Sequence, residues 1–394
     1  MTNFYEIETR YGAGVYAKQQ LSIVRGQGAS LFDADGNEYI DCSAGHGVAN
    51  LGHAHPKVAA AITEQAATLI TLFESFPNDK RAALMQKMTS LVPGLERVFF
   101  CNSGTEAVEA ALKFARISTK RTNIVAAMRA FHGRTFGALS ATFNEKYRAG
   151  FKPLVPGFSH APYNNVEALA SAVDEGTAAV ILEVIQGEGG VYPANADYLQ
   201  AARRICDERG ALLIVDEVQS GFGRTGKMFA FQHFGIIPDL LCCAKSLAGG
   251  VPMGAVLIGE KVQNLTPGVH GSTFGGNPLS CAAGLAAITA IEEEDLAGQA
   301  AAKGAYLMNK LRQIDSPLIR EVRGLGLMIG IELKQKVAPY LKALQEKRII
   351  ALNAGMTVIR LLPPLVISYA QLDRVAAALA DVLAADAGTD SGNG

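Results

Sequence analysis

The chain has 394 residues, ample length for a large core and, on length alone, for two or three domains. With 49% hydrophobic and 19% charged residues it reads as globular, which excludes a disordered chain. Lys+Arg 36 against Asp+Glu 37 gives a net charge of -1, so no basic surplus points to nucleic acid, and no charge-free run approaches the ~20 residues of a membrane helix.

Residues 1 to about 30 are mixed and polar, with Glu6, Glu8 and Arg10 where a secretory signal would need an apolar core, so a cytoplasmic location is expected. The pairs Leu31-Phe32 and Tyr39-Ile40 flank Asp35-Gly36 and predict a hairpin or meander. Ser43 to Pro56 contains His46, His53 and His55. Their spacing is not that of two ligands on one helix face, so no metal is expected. His53 and His55 are expected to shape the loop before a helix starting near Pro56, and His46 to face the substrate. Helical periods cover 57–72 and 78–92.

Arg97–Cys101 is a strand that runs through Asn102-Ser-Gly-Thr105 into a helix from Glu106 to Arg116. Ser103 or Thr105 can cap that helix, and Gly104 lets another backbone approach. Free N–H groups then point outward, as at an anion site; ordinary capping has the same appearance. Asn123–Met128 is the next strand and ends near Phe131-His-Gly-Arg134. An aromatic there can stack on a planar ring, and an arginine can grip a carboxylate. A loop with Pro153, Pro156 and Pro162 follows. Ala178–Leu182 is an apolar strand that ends in Glu183, with Glu188 close behind, and 197–209 is a helix.

The unbroken apolar run Ala211–Val215 reads as a strand buried on both faces of a parallel sheet. It ends in Asp216 and Glu217, where open α/β sheets bind ligands. A second run, Leu240–Ala244, ends in Lys245. A carboxylate and an amine at the ends of buried strands suit pyridoxal phosphate, which needs a lysine for its Schiff base and a carboxylate at its pyridine nitrogen. Beyond them come a strand at Gly254–Ile258, the loop Gly271-Ser-Thr-Phe-Gly-Gly-Asn-Pro278 and a helix to about Glu294. A helix at 303–314, a glycine-broken strand at 322–332, a helix at 337–347, the strand Val358–Pro363 with Arg360 in it, and a helix at 371–384 complete the chain. The cysteines Cys42, Cys101, Cys206, Cys242, Cys243 and Cys281 form no CxxC pair and read as buried free thiols.

These stretches together resemble the class III (fold type I) pyridoxal-phosphate aminotransferases, specifically the acetylornithine/ornithine aminotransferase family. Asn102-Ser-Gly-Thr-Glu-Ala, Phe131-His-Gly-Arg-Thr, Gln186-Gly-Glu-Gly-Gly, Asp216-Glu-Val-Gln-Ser-Gly-Phe-Gly-Arg-Thr-Gly, Ala244-Lys-Ser and Ser272-Thr-Phe-Gly-Gly-Asn-Pro fall at family-like spacing. The resemblance implies an α/β fold: a large cofactor domain (56–280) with a mostly parallel seven-stranded sheet, and a smaller α+β domain from 281–386 joined by 1–55. Residues 387–394 are expected to be a disordered tail.

It also implies site roles. Lys245 would carry the cofactor, Asp216 would pair with its ring nitrogen, and Gln219 would reach its phenolic oxygen. Phe131 and Val218 would sandwich the ring. Ser103, Gly104 and Thr105 would hold the phosphate, joined by Thr273 of the partner subunit in a homodimer. Arg134, Ser272 and His46 would meet the substrate, and Glu188 with Arg360 would form a switch between an ω-amino substrate and glutamate. The loop Gly45–His53, with Val125–Arg129, Ala161–Asn164 and Val358–Ile367, is similar to the branch acting on lysine semialdehyde tethered to an acidic amino-group carrier protein. N-acetylornithine is the alternative substrate, alone or alongside the first in one enzyme; a lyase or aminomutase on the same fold, or a non-catalytic protein that keeps it, is the more distant alternative.

Overall fold

The computed structural model describes residues 4–384; the expected disorder of 387–394 lies outside them. Its centre is a seven-stranded sheet in the order 95–101, 254–259, 240–243, 212–216, 177–183, 123–127, 158–161. Gly254–Gly259 is antiparallel to both neighbours, and the other adjacent pairs are parallel. Six strands therefore end on one edge, the edge from which residues 102, 128, 162, 184, 217 and 244 depart.

The apolar runs are unbroken because the sheet is covered on both faces. Ile181, Ile214 and Cys242 pack on one side with Ala107, Ala111 and Phe114 of the Gly104–Thr119 helix. Leu182, Val215 and Cys243 pack on the other with Leu199 of Ala196–Arg209 and Ala287 of Pro278–Glu293. Thr177–Glu183 and Leu212–Asp216 are buried at every position, as expected of strands inside a parallel sheet. All six cysteines are buried and free.

A second, antiparallel sheet orders Ile319–Leu325, Met328–Leu333, Val358–Leu361 and Leu352–Ala354. A third joins the meander Ile23–Gln27, Ser30–Asp33, Glu38–Asp41 to the short Ile349–Ile350 strand. The beginning and end of the chain thus share a sheet. Gly36, at φ +85°, makes the expected turn of the meander.

Among the elements that differ from the sequence expectation, three have a readable physical reason. The helix expected over 57–72 stops at Ala66. The buried Arg81 of the following helix takes the carbonyls of Leu72 (2.7 Å) and Phe76 (2.9 Å), as well as that of Gly276, and holds the intervening segment open. The glycine-broken strand over 322–332 is a hairpin, with Gly326 at φ +56° in its turn. A Cβ on Gly326 would sit 2.7 Å from Arg224 O, so only glycine lets this tip approach so closely. The proline-rich loop contains the edge strand Phe158–Ala161, too short and too polar to show a period.

Candidate active site

A cavity of about 440 Å³ opens at the carboxyl edge of the central sheet. Its lining includes Ser103, Gly104, Thr105, Phe131, Arg134, Glu188, Asp216, Val218, Gln219 and Lys245. The largest part of the site expected from sequence therefore converges on one space, contributed by five different strand ends.

The 102–105 turn is a reciprocal cap. Ser103 Oγ accepts from Glu106 N, and the Glu106 carboxylate accepts from Asn102 N at 2.6 Å. The Gly104 and Thr105 N–H groups remain as the free donors of the first turn. A Cβ on Gly104 would stand 2.7 Å from Val218 Cγ1, so the absence of a side chain lets the helix start lie against Val218.

Asp216 is 5% exposed. Its Oδ1 accepts from Val218 N at 3.0 Å and its Oδ2 lies 2.8 Å from His132 Nδ1. Burial works against a charged His132, but the Asp216 carboxylate outweighs it and holds the imidazole above its ordinary value. Sequence reasoning passed over His132; its place beside Phe131 at a strand end was the available signal. Glu183, in register with Asp216, accepts from Phe131 N (3.1 Å) and Gly187 N (3.3 Å). Desolvation raises its carboxyl to about 7.

Lys245 opens the turn after Leu240–Cys243 with φ +48°, in the left-handed region. A non-glycine residue there stores strain, which functional sites tolerate. Desolvation brings its amine down to about 8, with Glu188 opposing and Arg360 adding to the effect. Arg134 is exposed and has no carboxylate partner among the described residues; its guanidinium stacks 3.9 Å from the Tyr147 ring centroid and 5.8 Å from that of Phe131.

Arg360 is 1% exposed and pairs with Glu188 through one guanidinium nitrogen, which also donates to Gln219 Oε1 at 3.1 Å. Burial raises the Glu188 carboxyl, yet Arg360 holds it below the usual glutamate value. His46 sits at φ +64°. Desolvation and then Arg360 hold its imidazole below the ordinary histidine range. His53 instead lies 2.8 Å from Asp41, and His55 lies 3.3 Å from Glu294, so the three histidines go separate ways. Ser272 accepts from Asn102 Nδ2 at 3.1 Å, at the margin of the cavity. Thr273 is exposed and does not line this chain's own cavity.

The doubly covered sheet and this edge cavity define a fold type I transferase, the architecture of pyridoxal-phosphate-dependent aminotransferases. Residues 12–383 match the family described as Aminotransferase class-III, and the chain belongs to it. It is 54% identical over 381 residues to the [LysW]-aminoadipate semialdehyde transaminase of Deinococcus radiodurans, covering 95% of this chain and 89% of the relative. It is 45% identical over 389 residues to the acetylornithine aminotransferase of Methanocaldococcus jannaschii, covering 96% and 98%. Among solved structures, the ornithine aminotransferase of Toxoplasma gondii ME49 superposes with a TM-score of 0.94 at 35% identity, over 98% of this chain and 96% of that one.

Proposed function

We propose that the chain is a pyridoxal-phosphate-dependent ω-aminotransferase that moves an amino group between glutamate and a carrier-protein-linked lysine semialdehyde. The observation that carries this reading is the pair of half-buried Glu188 with buried Arg360 beside a cavity lined by Lys245 and Asp216. An arginine whose carboxylate partner can leave it serves two alternating substrates, one with a carboxylate on the amine-bearing carbon and one without.

The residues suit the cofactor. Ser103, Gly104 and Thr105 offer a helix N-terminus to its phosphate, and a second copy of the chain would bring Thr273 to the same group. Phe131 and Val218 would flank the ring, Gln219 would meet its phenolic oxygen, and Asp216, braced by His132, would hold the proton on its ring nitrogen. When bound, the cofactor supplies an electron sink for the amine-bearing carbon. Lys245 Nζ removes the proton from that carbon and returns one; an amine near pKa 8 can do both at neutral pH. Arg134 holds a substrate carboxylate, with Ser272 and His46 at the margin. Glu188 neutralises Arg360 while the ω-amino substrate is present and releases it to the α-carboxylate of glutamate.

A homodimer suits the exposed Ile70, Phe73, Phe76 and Phe274, apolar side chains on the segments that flank the site loop. The carrier-linked substrate is supported by the 54% identical relative. N-acetylornithine is the second reading, supported by relatives of that name at 42–46% identity. No helix of the described residues is long and apolar enough to cross a membrane.

Lys245→Ala tests the chemistry. Its turnover should fall at least about a hundredfold, the lower range for loss of a general acid–base group. Near-native turnover in the purified variant would remove Lys245 from the proton-transfer role.

A further inference from the structure

Arg224 lies in the glycine-rich stretch after Asp216, yet it does not line the cavity. It is fully buried and has no carboxylate partner among the described residues. A buried guanidinium with no ion pair, eased through space by Asp41, is costly unless its donors are used; its Nε has no partner among the described residues, and the Nη atoms do the bonding. Here they reach three separate segments. Nη1 donates to Leu327 O (3.0 Å), at the tip of the 319–333 hairpin, and to Pro363 O (2.5 Å), three residues after Arg360. Nη2 donates to Asn50 Oδ1 (2.6 Å), four residues after His46. Asn50 completes the joint. Its Nδ2 donates to Phe222 O (2.8 Å), and its carbonyl accepts from Leu365 N (2.8 Å). Packing repeats the pattern, since a Cβ on Gly47 would stand 3.5 Å from both Gln219 Cγ and Leu362 Cδ1.

One guanidinium and one amide thus tie the loop that follows Gln219 to the stretch that follows Arg360. Across the cavity wall those two segments meet in the Arg360–Gln219 hydrogen bond. We propose that Arg224, clamped by Asn50, is a positioning residue that sets Arg360 against Gln219 and Glu188 and so determines affinity for the α-carboxylate of glutamate. This inference rests on the role given to Arg360 above. Among the described residues, no hydrogen bond joins Arg224 to the turn that carries Arg134, so on this proposal the ω-amino substrate is largely insulated from it.

The test uses the holoenzyme with Arg224→Lys, whose single ammonium cannot span the three acceptors, and Asn50→Ala, which removes the clamp but keeps the guanidinium. Each half-reaction is followed separately, and glutarate, an inert dicarboxylate, is titrated by calorimetry. Both variants should raise KM for glutamate and Kd for glutarate by about tenfold, with kcat and the ω-amine half-reaction within about threefold of the parent. An equal loss in both half-reactions overturns the proposal, as does failure of both variants to yield soluble holoenzyme, which would make the joint a folding element only. Arg360→Ala in the same assays separates the two ideas. If it spares glutamate, the reading of Arg360 fails; if it impairs glutamate while Arg224→Lys does not, only the positioning proposal fails.

Discussion

Replacing Glu188 with Gln removes one negative charge and little volume from the cavity. Arg360 is almost completely buried, and the acceptors that meet its guanidinium are Glu188 and Gln219 Oε1. A hydrogen bond to a charged group contributes about 1.5–3 kcal/mol, which corresponds to about ten- to hundredfold in a binding constant. Under the proposed function glutamate must displace Glu188 from Arg360, and the ω-amino substrate must not. The variant removes that competition and leaves Arg360 uncompensated. The ratio of kcat/KM for glutamate to that for the ω-amino substrate should therefore rise by about ten- to hundredfold. Half-reactions followed by cofactor absorbance, one amino donor at a time, measure that ratio. If both half-reactions change by the same factor, the alternating role of the pair is wrong.

Two further outcomes follow from the geometry. Gly104→Ala forces a methyl group to within 2.7 Å of Val218 Cγ1, so the helix start must move and cofactor Kd should rise at least about tenfold, measured by equilibrium dialysis; unchanged affinity would take Gly104 out of the phosphate site. Glu217 is buried, and desolvation raises it to about 7 from the ordinary glutamate value of 4.5, so its contribution to stability is complete below 4.5 and is lost as pH rises towards 7. Its oxygens accept from Ser220 Oγ (2.7 Å) and Phe231 N (2.8 Å), contacts a glutamine can keep by donating to Ser220. Glu217→Gln should flatten the fall in Tm between pH 4.5 and 7; an unchanged slope would show that Glu217 does not titrate there.

The central sheet was legible because burial on both faces leaves apolar runs with nothing polar inside them, and such runs end where the chain meets the cavity. Asp216 and Lys245 stood out for that reason. Contacts made across the fold left no such trace. Glu188 and Arg360 are 172 residues apart, and spacing alone could not join them. His132 was hidden by sharing its turn with Phe131 and Arg134, and its task is visible only once Asp216 faces it at 2.8 Å. The helix stops at Ala66, and the segment beyond it gives its carbonyls to Gln65 and to Arg81 of a later element, contacts that local periodicity does not show. Arg224 lies in a glycine-rich loop with no apolar run around it, and its burial is visible only where three segments close over it.

The substrate is tested most directly by competition with 2-oxoglutarate as acceptor, comparing kcat/KM for free N-acetylornithine, free ornithine, and lysine joined through its α-amine to the terminal glutamate of an amino-group carrier protein. The proposed function predicts a large preference, at least about a hundredfold, for the carrier-linked lysine, equivalent to about 2.7 kcal/mol of transition-state discrimination. A preference for free N-acetylornithine would contradict it and assign the same chemistry to the acetylated substrate.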